Sequence, residues 1–222
     1  MSEYHKIETL FERDLSTFKV DPAKLKNPTY ALIKTWQFTE KIDGTNIRAI
    51  WSPAIKGTAA DGSEILLGES LRFGGKTDNA QVHTDLIRHL YDTITAEKMR
   101  AVFPTDSVVI YGEGYGAGIQ KGGGYSATKK FIVFDVLVNG KWWLNWENTC
   151  DVASKLGLDV VPFIGEMTLE QATVSVRNGF LSPLALANGQ TMQGEGFVGR
   201  PAETLFDKKG ARLIIKLKTK DF

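Results

Sequence analysis

The feature that most constrains the fold of this chain is its succession of short runs rich in β-branched and aromatic residues, each bounded by turn formers. They fall at 31–38, 46–51, 64–67, 108–111, 131–138, 160–164, 196–198 and 213–217, and runs of this length and composition read as strands. Three helical patterns are set among them. At 85–102, Leu86, Leu90, Tyr91, Ile94 and Met99 approximate one face, with Thr84 as N-cap. The second, at 146–156, starts after Asn145 and stops before Gly157, and the third, at 169–177, has Thr168 and Gln171 in capping-box spacing with Gly179 beyond its end. Strand runs with separated helices predict an α+β fold built on antiparallel sheet. The glycine-rich segment 112–124 is too long for a tight turn and reads as a loop that lets backbone approach a ligand.

A chain of 222 residues that is 42% hydrophobic fills one sizeable core. With no internal repeat, low-complexity tract or long linker, a single domain over 1–222 is expected. No apolar run approaches the roughly 20 residues that span a bilayer, and the N-terminus lacks the layout of a signal peptide, so a cytoplasmic protein is expected. The lone Cys150 forms no internal disulfide and reads as a structural thiol. His5, His83 and His89 lack the close spacing of a zinc site. A net charge of +1 excludes a protein coated in basic charge, so nucleic-acid contact must come from a local patch. One is visible at 207–222, where Lys208, Lys209, Arg212, Lys216, Lys218 and Lys220 face only Asp207 and Asp221. Its bland alternative is a solvated edge strand defended by lysines.

The chemistry concentrates in Thr39-Glu40-Lys41-Ile42-Asp43-Gly44-Thr45-Asn46. A lysine at the end of an apolar run, followed by a turn that presents it, suits a covalent nucleotide adduct, provided its surroundings favour the free amine. The alternative is a hairpin in which Asp43-Gly44 joins the strands on either side and Lys41 is a solvated edge charge.

Four further segments fit beside the lysine: Tyr111-Gly112-Glu113-Gly114, Phe131-Ile132-Val133-Phe134-Asp135-Val136, Glu195-Gly196-Phe197-Val198 and Ile215-Lys216-Leu217-Lys218. In this order they resemble the covalent nucleotidyltransferase superfamily of DNA ligases, RNA ligases and mRNA capping enzymes, over Glu40 to Lys218. The first motif is most similar to RNA ligases of the RNA ligase 2 type, because Asn46 stands where DNA ligases and capping enzymes usually carry arginine. The resemblance implies an adenylyltransferase fold and the following roles. Lys41 attacks the α-phosphorus of ATP and holds AMP, Glu40 reads the adenine amino group, and Ile42 and Asn46 line the nucleotide. Glu113 takes a ribose hydroxyl. Phe134 lies against the adenine face, with Phe131 as its rival for that stacking. Glu195 holds Mg2+ or Mn2+ near the phosphates, through water because magnesium dehydrates reluctantly. Lys216 and Lys218, two apart on a strand and so on one face, neutralise charge as pyrophosphate leaves. Between the first and third motifs the family has a basic phosphate contact, for which Arg72 and Lys76 both qualify.

The implied activity is that of an ATP-dependent RNA ligase, a monomer joining 5′-phosphate and 3′-hydroxyl ends, with cations around Lys41 helping it to lose its proton. The alternatives are a DNA ligase and a nucleotide- or RNA-binding module without turnover. The chain ends four residues after Lys218, so neither an oligonucleotide-binding barrel nor a C-terminal helical domain is expected, a short layout that looks phage-like. Substrate grip is then expected from the basic tail and from the loop 120–125, where Lys121 and Tyr125 would meet a phosphate and a base.

Overall fold

The computed structural model describes residues 3–120 and 123–222. They cluster into a first unit of residues 5–43, 116–128 and 161–222, and a second unit of residues 44–115 and 129–160 with the residues before His5. The chain opens the first unit with β1 (Glu8–Thr9), β2 (Phe11–Arg13), β3 (Val20–Leu25), a 3-10 turn (Pro28–Leu32) and β4 (Trp36–Lys41). It passes to the second unit after Asp43 and there forms β5 (Thr45–Ser52), β6 (Ile55–Thr58), β7 (Glu64–Leu67), β8 (Ser70–Gly74), α1 (Thr84–Thr93) and α2 (Ala96–Val102). This unit also holds β9 (Val108–Tyr115), β10 (Lys130–Val138), β11 (Trp142–Trp143) and α3 (Trp146–Leu156). The first unit is completed by β12 (Phe163–Met167), α4 (Leu169–Asn178), α5 (Pro183–Ala187), β13 (Gly196–Arg200) and β14 (Ile215–Lys218).

In the first unit the sheet runs β1-β14-β13-β4-β12, antiparallel except for the β1/β14 pair. Its two faces differ because side chains alternate along each strand. One face is apolar: Trp36, Phe38, Phe197, Ile215 and Leu217 close on Ala172 and Val176 of α4, each large side chain contributing on the order of 2 kcal/mol by burial. The alternate positions, Lys41, Lys216 and Lys218, therefore fall on the opposite face. The α4 helix is fixed by the capping box that its sequence announces, with Thr168 and Gln171 bonded reciprocally.

The second unit is built on an antiparallel sheet in the order β11-β10-β9-β5-β8, with α1 and α3 against β10 and β6–β7 as a separate ribbon. Its sheet carries an aromatic cluster in which the Tyr4 ring sits 5.0 Å from Tyr111, 5.0 Å from Phe134 and 5.7 Å from Trp143. The Tyr4 hydroxyl donates to Asp135 Oδ2 at 2.8 Å.

Several boundaries differ from expectation. The run at 31–38 becomes a strand only from Trp36, because Asn27 caps the preceding 3-10 turn and Pro28 enters its first position. The expected helix 85–102 is two helices. Its turn breaks at Ile94, Thr95 caps α2 by accepting from Lys98 N–H, and Thr84 is the first residue of α1 rather than its cap, which is His83. The segment 112–115, expected in a loop, continues β9, since Gly112 to Gly114 pair with β5 on one side and β10 on the other. Pairing on both edges overrides the weak strand preference of glycine. The hairpin reading of Asp43-Gly44 also fails: β4 pairs with β13 and β12, whereas β5 pairs with β8 and β9. The strand expected at 160–164 begins only at Phe163, and β14 is no edge strand, lying between β13 and β1.

Candidate active site

Lys41 ends β4 opposite Gly196 of β13, which in turn faces Lys218 of β14. The register thus sets two lysines on either side of one glycine. A Cβ at Gly196 would stand 1.9 Å from the Leu217 carbonyl oxygen, and φ is +156°, so no other residue permits this pairing. Directly before it, Glu195 accepts from Lys41 Nζ through Oε2 at 2.6 Å and meets Lys218 Nζ through Oε1 at 2.7 Å. The three side chains are 21%, 14% and 20% exposed, shielded enough for the attraction to exceed that of an open surface pair. Thr219 fixes the glutamate from behind, its N–H donating to the Glu195 carbonyl at 2.9 Å and its hydroxyl to the Gly194 carbonyl at 3.2 Å.

Lys216 lies one row along, in register with Val198 and Thr9. Burial, then the like charges of Lys218 and Lys41, hold its ammonium below the ordinary lysine range, with Glu8 opposing. Two ammonium groups on one carboxylate, with a third near both of them, make a face that favours an anion. The cations expected to act on Lys41 are present, but its immediate neighbour is the Glu195 carboxylate.

Glu40 alternates to the other side of β4 and is 1% exposed, not an ordinary exposed strand glutamate. Its Oε2 accepts from Leu184 N–H at 3.0 Å, while Oε1 is buried without a hydrogen-bond partner. Burial raises its carboxyl above the usual range, opposed by the Ser182 hydroxyl and the Leu184 N–H. An orphaned acceptor here suits a ligand's amino group. Ile42, two residues further along the chain, is also buried. Sequence reasoning missed α5, whose Ser182 cap and Pro183 were its available signal. The Tyr125 ring, expected to meet a base, is instead fully buried, and its hydroxyl accepts from Asp43 N–H at 3.2 Å. Burial first pushes its phenol up. Tyr125 is thus a strut for the Lys41-to-Asp43 turn. Lys121 and Gly122 lie outside the described residues.

The second unit brings together Asn46 and Glu113, directly opposed across β5 and β9. Asn46 Oδ1 is buried without a hydrogen-bond partner. Gly44, in the bend just before β5, must be glycine because a Cβ would stand 2.3 Å from the Gly114 carbonyl oxygen and 2.8 Å from Glu113 Cγ. Arg72 stands exposed on β8, and Lys76 is exposed in the loop that follows. That loop is held by a residue not singled out from sequence: the buried Arg48 donates to the Gly75 carbonyl at 2.7 Å and to Asp78 Oδ1 at 2.8 Å. Phe131 is buried, whereas Phe134 is half-buried at the β10 bulge with its ring edge-on to Tyr4.

Among the described residues no three His, Cys, Asp or Glu side chains gather to hold a metal ion. Glu195 is the carboxylate set among the lysines, which fits a divalent ion held by one carboxylate, water and substrate phosphates rather than by a protein cage.

A family model described as RNA ligase matches residues 34–218, a span that includes every residue of the lysine cluster. No curated protein matches the chain. An archaeal ATP-dependent RNA ligase (form 2) superposes with a TM-score of 0.56 and 19% identity, over 98% of this chain and 48% of that one. A mutant Naegleria gruberi RNA ligase with ATP and Mn superposes with a TM-score of 0.60 and 15% identity, over 97% of this chain and 60% of that one. At these identities the likeness is one of fold, and this chain spans less than two thirds of either solved ligase.

Proposed function

The chain belongs to the RNA ligase family, and on that premise we propose that it is an ATP-dependent RNA ligase working through a lysyl-AMP intermediate. The observation that carries this reading is the Glu195 carboxylate bonded at once to Lys41 and Lys218, with Lys216 alongside. A lysine held in a shielded, anion-seeking face is suited to meet a polyphosphate. In the first step the Lys41 Nζ lone pair forms a bond to the α-phosphorus of ATP. The bond from that phosphorus to the bridging oxygen breaks, and pyrophosphate leaves with the electron pair. The proton lost from Nζ has Glu195 as its nearest acceptor. Lys216 and Lys218 offset the charge growing on the departing oxygens. A divalent ion held through Glu195 and the phosphates would supply further neutralisation of that charge.

Adenylate then passes to a 5′-phosphate end, and a 3′-hydroxyl displaces AMP to leave a phosphodiester. Glu40, with its unsatisfied buried oxygen, is assigned to the adenine amino group, and Ile42 to the apolar side of the nucleotide. For the second unit taken by itself, the family roles assign Asn46, Arg72, Lys76, Glu113 and Phe134 to nucleotide contacts. Of the two basic candidates, Lys76 is favoured because Arg48 fixes its loop. Sealing of a 5′-phosphorylated nick in RNA and in DNA duplexes, followed on a denaturing gel with ATP and magnesium, tests the activity. RNA joining is the expected result. Joining of DNA alone would make the chain a DNA ligase, and joining of neither would leave a binding module.

A further inference from the structure

On its lysine side the first unit opens a cleft of about 780 Å3, whose lining includes Lys6, Glu8, Phe18, Lys216, Lys218 and Lys220. Its walls are fastened together. The hairpin β2–β3 is tied to the C-terminal turn by Arg13 Nη2 to Asp221 Oδ2 at 2.8 Å and by Lys19 Nζ donating to the Lys220 carbonyl at 3.0 Å.

Phe18 sits at the tip of this hairpin with 68% of its surface exposed and φ of +58°, a conformation that costs a non-glycine residue roughly 1 kcal/mol or more. The surrounding loop enforces it. Asp14 Oδ1 accepts from the N–H groups of Ser16 at 2.9 Å and Thr17 at 2.7 Å, and the Arg13 guanidinium donates to the Phe18 carbonyl. A large aromatic ring is thereby held outward in a strained conformation that the core does not use. The charges in the cleft are unevenly matched. Of the three carboxylates that line it, Glu8 is engaged by Lys26 at 2.5 Å and Asp221 by Arg13, which leaves Glu12 against the remaining lysines. Among the described residues Lys216 and Lys220 have no acidic side chain within ion-pair distance, and Lys6 reaches Glu8 only at 3.8 Å.

We propose that this cleft binds a single-stranded polynucleotide, with phosphates on Lys6, Lys216 and Lys220 and one base stacked on Phe18. Ammonium groups that track a backbone beside a rigid aromatic platform are the elements of sequence-tolerant strand binding. The inference rests on the ligase reading only for its purpose, which is to hold the strand being joined.

The test uses the full chain without ATP and a 3′-fluorescein single-stranded RNA of about 15 nucleotides bearing a 5′-hydroxyl, which cannot accept adenylate. Binding is read by anisotropy across a salt series. Phe18→Ala is expected to weaken binding about tenfold, and the Lys6→Ala/Lys220→Ala double variant to reduce the slope of log affinity against log salt by about 1.4. Adenylylation of Lys41, read in parallel by intact mass, is expected to be unchanged in both. Wild-type affinity in both variants, or no affinity in the wild type, overturns the proposal. Loss of binding in the variants of a protein that forms no adduct would sink the ligase reading and leave the cleft standing.

Discussion

In the proposed mechanism Glu195, bonded to Lys41 Nζ at 2.6 Å, is the group that takes the lysine's proton. Glu195→Ala is expected to slow adenylyl transfer on the order of a hundredfold, the cost of losing one aimed electrostatic contact; a rate within twofold of wild type in a quenched-flow assay would remove the glutamate from the chemistry. Glu40 gives a pH test. Its carboxyl titrates above the usual 4.5 because it is buried, so between 4.5 and that raised value the folded state binds more protons than the unfolded one. Stability should therefore fall as pH climbs through this window and stay lowered at neutral pH. Glu40→Gln is expected to flatten that slope in thermal unfolding, and parallel curves for the two proteins would contradict the assignment. At this scale the sequence motif announced Lys41, Glu195 and Lys218, which side-chain alternation and strand register then bring together. It was silent on Arg48 and on the burial of Tyr125, because partners 27 and 82 residues away in sequence decide both.

Elements were readable where local chemistry decides them. The α3 and α4 helices keep their expected starts because Asn145 and Thr168 cap them, and Gly157 ends α3 in the left-handed conformation. Thr168→Ala is expected to cost about 1 kcal/mol in urea unfolding, with no change implying that packing on the sheet alone holds α4. Readings failed where distant pairing decides: β9 runs on through Glu113 only because β5 and β10 flank it, and β4 and β5 seek different partners despite their closeness in sequence. Gly196 shows how such pairing shapes the site. Gly196→Ala must push a methyl group against the Leu217 carbonyl, and is expected to destabilise the protein by about 3 kcal/mol and to separate Lys41 from Lys218. Unchanged stability and adenylyl transfer would show that the register tolerates the shift.

Over the whole chain the net charge of +1 conceals a basic face, because acids elsewhere balance the lysines gathered on one side of the first unit's sheet. Part of the expected basic tail joins that face, with Lys216 and Lys218 on β14 and Lys220 in the turn after it, while Lys208 and Lys209 sit in an exposed turn. Among the described residues no helix is long and apolar enough to cross a membrane. The α+β class was legible from strand and helix patterns, whereas the division of those strands into two five-stranded sheets and two ribbons was not, since nothing local distinguishes a strand's partner. The central claim is that Lys41 carries the nucleotide. Incubating the protein with ATP and magnesium, then mapping the adduct by intact mass and peptide sequencing, tests it most directly. The expected result is the gain of one adenylyl group on Lys41 that is absent from Lys41→Ala; an adduct on another residue, or one that persists in Lys41→Ala, would contradict the account.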